Sequence, residues 1–240
     1  MLLSFLFLFA SSKKTYLTFD VYGTLLNIST VEIEVRKMAE ECNVDPFDAY
    51  STYKNYADIV CYGEDYSDFD ETLRKALFWT DLKLKTNNSC FVNNSERLIN
   101  VFKNFKPFPE TLATLQEMKN RGYEIYIMSN SANIVMDENR KALGDLFGDH
   151  VFLAQYAKAY KPQLQFFQYV HEKLDFDHNN HTHIAQGFWS DIMPASLMKW
   201  ENKIWVNRKH TLPSSKFEPF IEVSTLDQAL EYLPPVENTD

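Results

Sequence analysis

The sequence predicts an α/β fold, in which a doubly wound, Rossmann-like parallel sheet core carries an inserted all-helical domain. Strand and helix patterns alternate from residue 123 onward, which is typical of parallel βαβ units. Residues 28–104 show helical periodicity without a strand pattern. A chain of 240 residues, 45% of them apolar, is long enough to bury one sizeable core and a smaller second one.

The first strand is predicted over residues 13–22, where β-branched and aromatic side chains are frequent. The strand runs into the sequence TFDVYGTLL at residues 18–26, in which Asp20 interrupts an apolar stretch shortly before Gly23. The carboxyl ends of parallel strands are where open α/β sheets bind their ligands. Asp20 is therefore the first candidate for a catalytic residue.

Helices of the inserted domain are predicted from apolar side chains at helical spacing and from start signals such as Asp45-Pro46. They cover residues 31–41, a segment from 45 onward, 69–82 and 95–105. We expect the helical domain to occupy residues 28–104, with the core formed by residues 13–27 and 105–233.

The rest of the core alternates helices with short apolar strands. Gly122 stands in the position typical of a helix end. Strands are predicted at residues 124–128, 151–153, 183–185 and 203–207. Helices are predicted at residues 111–121, after residue 130 to about 143, at 163–173 and at 191–200.

The two chain ends are predicted to lie outside the folded core. Residues 1–12 form an apolar extension that is too short to span a bilayer. This extension is either a signal segment or a continuation of the first strand, and the sequence favours neither. Residues 234–240 are expected to form a flexible tail.

The cysteines Cys42, Cys61 and Cys90 form no CxxC pair and are odd in number. This pattern favours free thiols in a reducing compartment, so a cytoplasmic location is predicted. Secretion is the alternative if residues 1–12 are a signal peptide, and the glycosylation sequons at Asn87 and Asn93 would then matter.

The formal net charge of −9, without a cluster of Lys and Arg, argues against a nucleic-acid partner. The segment lengths also argue against a membrane span. The predicted partner is a small-molecule substrate, and homodimer formation is left open.

Polar side chains follow four separate segments of the predicted core at strand-to-helix junctions: Asp20, Ser129 with Asn130, Lys161, and Asp191. Taken singly, each is more often a helix cap, a turn residue or a solvated side chain. Because the carboxyl ends of parallel strands meet at one edge of a sheet, we expect all of them to converge.

These residue types form a coherent chemical set. Asp20 can attack an electrophile as a nucleophile, while Ser129 and Asn130 donate hydrogen bonds to a substrate anion. Lys161 offsets negative charge, and Asp191 beside it favours the charged form of both side chains. Asp20, Ser129, Lys161 and Asp191 are thus the predicted catalytic residues.

The motifs resemble those of the haloacid dehalogenase superfamily over nearly the whole chain. The matching runs are FDVYGTL at residues 19–25, MSN at 128–130, YKP at 160–162 and IAQGFWSDIMPA at 184–195. The resemblance implies that the helical insert is a cap domain that closes over the site.

The resemblance also implies roles for individual residues. Asp20 would form a covalent aspartyl ester that water then hydrolyses. Tyr22, Thr24, Asn130 and Gln186 stand at positions that would contact the substrate.

Tyr22 and Gln186 favour one branch of the superfamily. The phosphatases carry a second Asp at the position of Tyr22 and an acidic residue near Gln186, whereas 2-haloacid dehalogenases of type II share the Asp-x-Tyr pattern. With both positions neutral, the ligands left for Mg²⁺ are Asp20 and Asp191, so a metal and any other cofactor are disfavoured.

The chain also departs from the dehalogenases of this branch. Their early cap carries an Arg that is absent around residues 50–56, and Phe167 and Phe188 replace polar residues of their sites. The leading hypothesis is a hydrolase acting on a small, anionic substrate, with a 2-haloacid as the example. A magnesium-dependent phosphatase is the alternative within enzymes, and a catalytically weak binding protein is the alternative outside them.

A histidine-rich run at residues 177–183 resembles a metal-binding cluster. Its spacing fits no common zinc pattern, and no cysteine lies near it in the sequence. A polar loop before a strand is the favoured interpretation.

Overall fold

The computed structural model describes residues 14–63, 65–177 and 179–236, and its central feature is a six-stranded parallel sheet. In chain order the strands of this sheet are β1 (Tyr16–Phe19), β4 (Glu124–Ser129), β5 (Val151–Leu153), β6 (His181–Ala185), β7 (Asn202–Val206) and β8 (Ile221–Val223). Their spatial order is β5-β4-β1-β6-β7-β8, and every neighbouring pair is parallel. The predicted fold class is confirmed.

The sheet is doubly wound about β1. The chain moves outward in one direction through β4 and β5, then returns to pair β6 with the opposite edge of β1. The direction of winding therefore reverses between β1 and β6. In open α/β sheets, ligands bind at the carboxyl ends of strands beside such a reversal.

Helices connect the strands and cover the sheet: α6 (Thr111–Asn120), α7 (Asn133–Ala142), α8 (Ala154–Ala157), α9 (Leu164–Leu174) and α10 (Met193–Leu197). Strand β1 is buried on both faces, since Leu17, Thr18 and Phe19 are all inaccessible to solvent. Near-continuous apolar strands are what a parallel sheet covered on both faces requires.

The all-helical insertion leaves and rejoins the core through a two-stranded antiparallel ribbon. Strand β2 (Leu26–Asn27) pairs there with β3 (Lys106–Pro107). Between them lie α1 (Ser29–Glu41), α2 (Pro46–Gly63), α3 (Phe69–Leu84), α4 (Cys90–Asn93) and α5 (Ser95–Lys103). The predicted helical cap is present, and both of its connections lie in one ribbon.

Two predicted elements differ from the structure. Strand β6 begins at His181 and not at the predicted residue 183, so the interpretation of this run as a polar loop before a strand is wrong for residues 181 and 182. The helix predicted at 191–200 is a π-helical turn over Phe188–Ile192 followed by α10, and ends at Leu197. The amides of Asp191 and Ile192 both donate to the carbonyl of Gly187, which widens the first turn.

The prediction of three free thiols is wrong for two of the cysteines. Cys42 and Cys90 form a disulfide, while Cys61 is free. Cys42 follows α1 and Cys90 begins α4, so the fold of the cap brings them together although 48 positions separate them. Disulfides are typical of oxidising compartments, so the cysteines no longer support the predicted cytoplasmic location.

The predicted tail begins later than residue 234. The hydroxyl of Tyr123 donates to the carbonyl of Pro234, and the amide of Val236 donates to the carbonyl of Arg121. The remainder of the tail and the apolar extension 1–12 lie outside the described residues. Within the described ranges, no helix is both long and apolar enough to cross a membrane.

Candidate active site

Asp20 lies directly after β1, at the centre of the sheet's carboxyl edge. The residue is 8% exposed, and the hydroxyl of Thr24 donates to its Oδ2 at 2.5 Å. The turn between them requires Gly23, whose φ is +87° and where a Cβ would lie 3.0 Å from Oε1 of Gln186. The turn thus brings a hydroxyl back onto the carboxylate four residues earlier in the chain.

Lys161 lies between the two predicted carboxylates and is almost fully buried. Its Nζ donates to Oδ1 of Asp20 at 2.9 Å, to Oδ1 of Asp191 at 2.6 Å and to the carbonyl of Met128 at 2.9 Å. These three bonds use all of the donors of the ammonium group. The lysine is therefore fixed between the carboxylates of Asp20 and Asp191.

The side chain of Asn130 holds the main chain of Lys161. Its Nδ2 donates to the carbonyl of Lys161 at 2.8 Å, and its Oδ1 accepts from the amide of Lys161 at 2.7 Å. Because both ends of the side-chain amide are engaged, the structure gives Asn130 a positioning role. Its predicted contact with substrate stays a prediction.

Asp191 lies in the π-helical turn and accepts hydrogen bonds on both oxygens. Oδ1 accepts from Lys161 and from Nε2 of His183, the latter at 3.2 Å, and Oδ2 accepts from the hydroxyl of Ser190 at 2.5 Å. Asp191 is 1% exposed. A buried carboxylate with this many donors is stabilised in its ionised form.

The three charged groups shift one another's pKa values. Burial is the main cause of the raised pKa of Asp20; the charge of Lys161 opposes this effect, and the charge of Asp191 adds to it. Burial acts on Asp191 in the same direction, but Lys161 and His183 outweigh it and lower its pKa to about 2. Burial would lower the pKa of Lys161, yet the two carboxylates raise it. The site therefore holds a charged lysine between two carboxylates with opposite shifts.

Three further predicted residues lie beside this group. The hydroxyl of Ser129, at the end of β4, is buried and has no hydrogen-bond partner among the described residues. The amide of Gln186 donates to Oγ1 of Thr24 at 2.8 Å. The hydroxyl of Tyr22 donates to Oδ1 of Asn139 at 2.9 Å. The contacts of these residues with a substrate remain predictions.

Tyr22 is held by the cap connection as well as by that hydrogen bond. Its ring makes edge-to-face contacts with Phe102 and Phe105, with centroids 5.6 and 5.4 Å apart. Burial is the main cause of a strongly raised pKa of its phenol. The phenol is therefore a poor proton donor, and it points to Asn139.

The two phenylalanines that replace polar family residues pack in the core. Phe167 contacts Trp200 and His183, with centroids 5.2 and 6.1 Å apart. Phe188 packs against Trp205 at 4.9 Å. Neither phenylalanine is a hydrogen-bond partner of the Asp20 or Asp191 carboxylate described above.

His183, Ser190 and Thr18 were not predicted as site residues. His183 and Ser190 both contact Asp191, and Thr18 contacts His183. Strand β6 contains two buried histidines, and buried polar side chains need hydrogen-bond partners. These histidines were the signal by which the sequence could have pointed to the missed residues. The position of His183 opposite Thr18 depends on strand register, which the sequence does not show.

The donor set does not fit a Mg²⁺ ion. Lys161 and Thr24 occupy the two oxygens of Asp20, and Lys161, His183 and Ser190 occupy those of Asp191. Mg²⁺ prefers hard oxygen ligands in near-octahedral geometry. Residues 14–63, 65–177 and 179–236 contain no group of three His, Cys, Asp or Glu side chains placed to hold a metal.

The fold and the site together define a capped, doubly wound α/β hydrolase with a lysine-paired aspartate at the end of its first strand. A family model described as haloacid dehalogenase-like hydrolase matches residues 15–196. The chain belongs to this family.

Individual relatives are distant. Haloacetate dehalogenase H-2 of Moraxella sp. (strain B) is 24% identical over 196 residues, covering 80% of this chain and 85% of the relative. Glyceraldehyde 3-phosphate phosphatase of Methanothermobacter thermautotrophicus is 25% identical over 183 residues, covering 74% and 79%. A crystal structure of a dehalogenase with an intermediate complex has a TM-score of 0.78 at 21% identity, covering 95% of this chain and all of that one.

Proposed function

We propose that the protein hydrolyses a small anionic substrate, with a 2-haloacid as the leading candidate, through a covalent ester on Asp20 and without a metal ion. The arrangement of Tyr22 carries this proposal. In a phosphatase of the family, a second Asp at that position protonates the leaving alcohol. Here the phenol donates to Asn139 and has a raised pKa, so a leaving group that needs no proton is favoured.

The first step would be a displacement at carbon. A carboxylate oxygen of Asp20 attacks the carbon that bears the halogen, the new C–O bond forms, and the halide leaves with the electron pair of the broken bond. Lys161 and Thr24 hold the carboxylate for this attack through Oδ1 and Oδ2. No proton is transferred in the step.

The second step would be hydrolysis of the ester. Water attacks the Cγ of Asp20, the C–O bond between Cγ and the oxygen of the product breaks, and the hydroxy acid leaves as the carboxylate is restored with loss of a proton. Negative charge develops on the carbonyl oxygen of the ester during this attack. The donors of Lys161 and Thr24 already point at the Asp20 carboxyl group and would stabilise that charge.

The cap contributes groups to the same region. Cys61, near the end of α2, packs against a buried cluster of the core that includes Met128 and Tyr160, the residues that precede Ser129 and Lys161. The end of α2 therefore lies over this part of the core. We propose that this part of the cap, together with Ser129, contacts the substrate.

A magnesium-dependent phosphatase is the second candidate, because the relative from Methanothermobacter thermautotrophicus is named a phosphatase. The neutral side chains of Tyr22 and Gln186 and the occupied oxygens of Asp20 and Asp191 count against it. We therefore rank it second.

The test is a substrate panel with and without EDTA or Mg²⁺. We expect halide release from 2-chloropropionate or chloroacetate that persists in EDTA, and loss of that activity in Asp20→Asn. The exposed Asp149→Asn serves as the matched control and should retain activity. Tyr22→Phe should also retain activity, because the phenol is no proton donor.

The outcomes separate the candidates. No halide release from any haloacid, with magnesium-dependent turnover of p-nitrophenyl phosphate, would replace the proposal by the second candidate. No turnover of either class by the folded protein would favour a binding role for the fold.

A further inference from the structure

A chain of buried polar side chains extends from the active site into the sheet. Oγ1 of Thr18 lies 2.8 Å from Nδ1 of His183 and 2.8 Å from Nε2 of His181. Nε2 of His183 lies 3.2 Å from Oδ1 of Asp191, which in turn accepts from Lys161. The chain thus links the interior of β1 and β6 to the lysine that holds the nucleophile.

The pattern of donors gives the chain a direction. An ionised carboxylate is an acceptor, so Nε2 of His183 carries the proton that is donated to Asp191. In the neutral ring Nδ1 is then an acceptor, and the hydroxyl of Thr18 donates to it. Thr18 can accept from Nε2 of His181 in turn, so all of these hydrogen bonds can form with both rings neutral.

The histidine rings are packed so that they cannot turn freely. Phe176 stacks on His181 with centroids 3.8 Å apart, and the edge of Trp200 contacts the rings of both histidines at 4.8 and 5.7 Å. His183 is fully buried, and its ring also makes an edge-to-face contact with Phe167. A ring fixed in this way can hold its hydrogen-bond partner in one orientation.

We propose that His183 is a positioning residue that fixes the carboxylate of Asp191, and through it the ammonium group of Lys161, for the reaction at Asp20. This inference rests on the proposed function for its kinetic consequence. Asp20 loses its charge when it is esterified. Of the two carboxylates that contact Lys161 in the bonds described above, Asp191 is then the one that remains charged. The bond from His183 then keeps that pair beside the ester during its hydrolysis.

The kinetic test compares three substitutions at one position. His183→Leu removes both nitrogens, His183→Asn keeps a polar group near Nδ1, and His183→Gln keeps a donor near Nε2. We expect kcat to fall about 10- to 100-fold in the Leu and Asn variants with KM unchanged, and to be largely restored in the Gln variant. A packing role would instead make the Leu variant the least affected.

Trp200→Phe is the matched control, because it alters the packing beside His183 without removing a member of the chain. We expect it to lower the melting temperature and to leave kcat within about twofold, since the hydrogen bond to Asp191 persists. Equal kcat values in wild type and His183→Leu, or a Gln variant as slow as the folded Leu variant, would overturn the proposal.

A second measurement needs no substrate and so separates this proposal from the proposed function. In ¹H–¹⁵N spectra of lysine side chains, the buried ammonium of Lys161 should give a slowly exchanging signal in wild type and in His183→Gln. We expect the signal to shift and exchange faster in His183→Leu. An unchanged Lys161 signal in that variant would overturn the positioning role even if no haloacid is turned over.

Discussion

Asp20 and Asp191 contact the same lysine, yet their surroundings shift their pKa values in opposite directions. Burial and the negative charge of Asp191 raise the pKa of Asp20. For Asp191, Lys161 and His183 outweigh burial and lower the pKa to about 2. Opposite shifts in a pair of carboxylates separate their roles. The raised pKa belongs to Asp20, the proposed nucleophile, and the lowered one belongs to Asp191, the proposed permanent counter-ion.

The first prediction concerns the pH dependence of activity. Because protonated Asp20 cannot attack, kcat/KM should fall on the acid side with a midpoint above the ordinary Asp pKa of about 3.9. Lys161 has a raised pKa, so its deprotonation should cause no loss below about pH 10. A pH profile of kcat/KM at constant ionic strength tests this, and an acid midpoint at or below the ordinary value would contradict it.

The second prediction concerns stability. A lowered folded-state pKa means that ionised Asp191 stabilises the fold above its ordinary pKa, and this is lost as the pH falls towards 2. The shift corresponds to a contribution on the order of 2 kcal/mol at neutral pH. The raised pKa of Asp20 has the opposite sign, so ionised Asp20 destabilises the fold at neutral pH.

Asp191→Asn should therefore lower the free energy of unfolding at pH 7, while Asp20→Asn should leave it equal or higher. Urea unfolding of the two variants in parallel provides the measurement. A loss of stability in Asp20→Asn as large as that in Asp191→Asn would show that the assignment of the two carboxylates is wrong.

At the scale of single residues, the sequence predicted the charged members of the site well. Asp20 and Asp191 come after strands β1 and β6, Lys161 comes after helix α8, and the three side chains converge as expected. The roles of Thr24 and Asn130 could not be predicted in the same way. Thr24 donates to the Asp20 carboxylate and Asn130 to the Lys161 carbonyl, and the spacing of residues along the sequence does not show such contacts. His183 was missed because its partner Thr18 lies 165 positions away.

At the scale of elements, the loop after β1 is held from the end of β7. Nη2 of Arg208 donates to the carbonyl of Thr24 at 2.9 Å and to Oε1 of Glu110 at 2.6 Å. Its guanidinium also stacks over the ring of Phe108 at 3.7 Å. The side chain of Arg208 thus joins the end of β7, the loop after β1 and the start of α6.

The third prediction follows from this contact. Arg208→Met should cost about 2 kcal/mol of unfolding free energy, because it removes hydrogen bonds from a charged group. It should also lower kcat, since Thr24 is no longer held on Asp20. The adjacent, exposed Lys209→Met is the matched control, and equal stability and kcat in the two variants would contradict the role of Arg208.

The order and type of the elements were predictable, whereas several boundaries were not. Apolar strands and helix punctuation located every strand of the sheet from β1 to β7 within a few residues. Strand β8 was missed because it is three residues long and half exposed. The π-helical turn was missed because it depends on two amides sharing the carbonyl of Gly187, for which helical spacing gives no signal.

At the scale of the whole molecule, the cap is stabilised by a covalent bond of its own. The disulfide between Cys42 and Cys90 closes a segment that contains α2 and α3. The sequence could not show this pairing, because it depends on how the cap helices pack. The overall architecture, by contrast, was predictable, since the alternation of strands and helices and the length of the helical insert constrain it strongly.

The fourth prediction is that loss of this disulfide destabilises the protein. With a separation of 48 residues, loop closure predicts a loss of about 4 kcal/mol in the free energy of unfolding. Cys42→Ser should show this loss in denaturant titrations, whereas Cys61→Ala, which leaves the disulfide in place, should not show a loss of that size. Mass spectrometry that finds three alkylatable thiols in the folded, unreduced protein would contradict the pairing.

The most direct test of the account is the fate of the oxygens of Asp20 during turnover. The protein is incubated with 2-chloropropionate in H₂¹⁸O for many turnovers and is then digested. The mass of the peptide that contains Asp20 is measured by mass spectrometry. We predict that ¹⁸O enters the carboxyl group of Asp20, because water attacks its Cγ in the ester. Turnover that places ¹⁸O in the product while the Asp20 peptide keeps its ordinary mass would contradict the covalent mechanism.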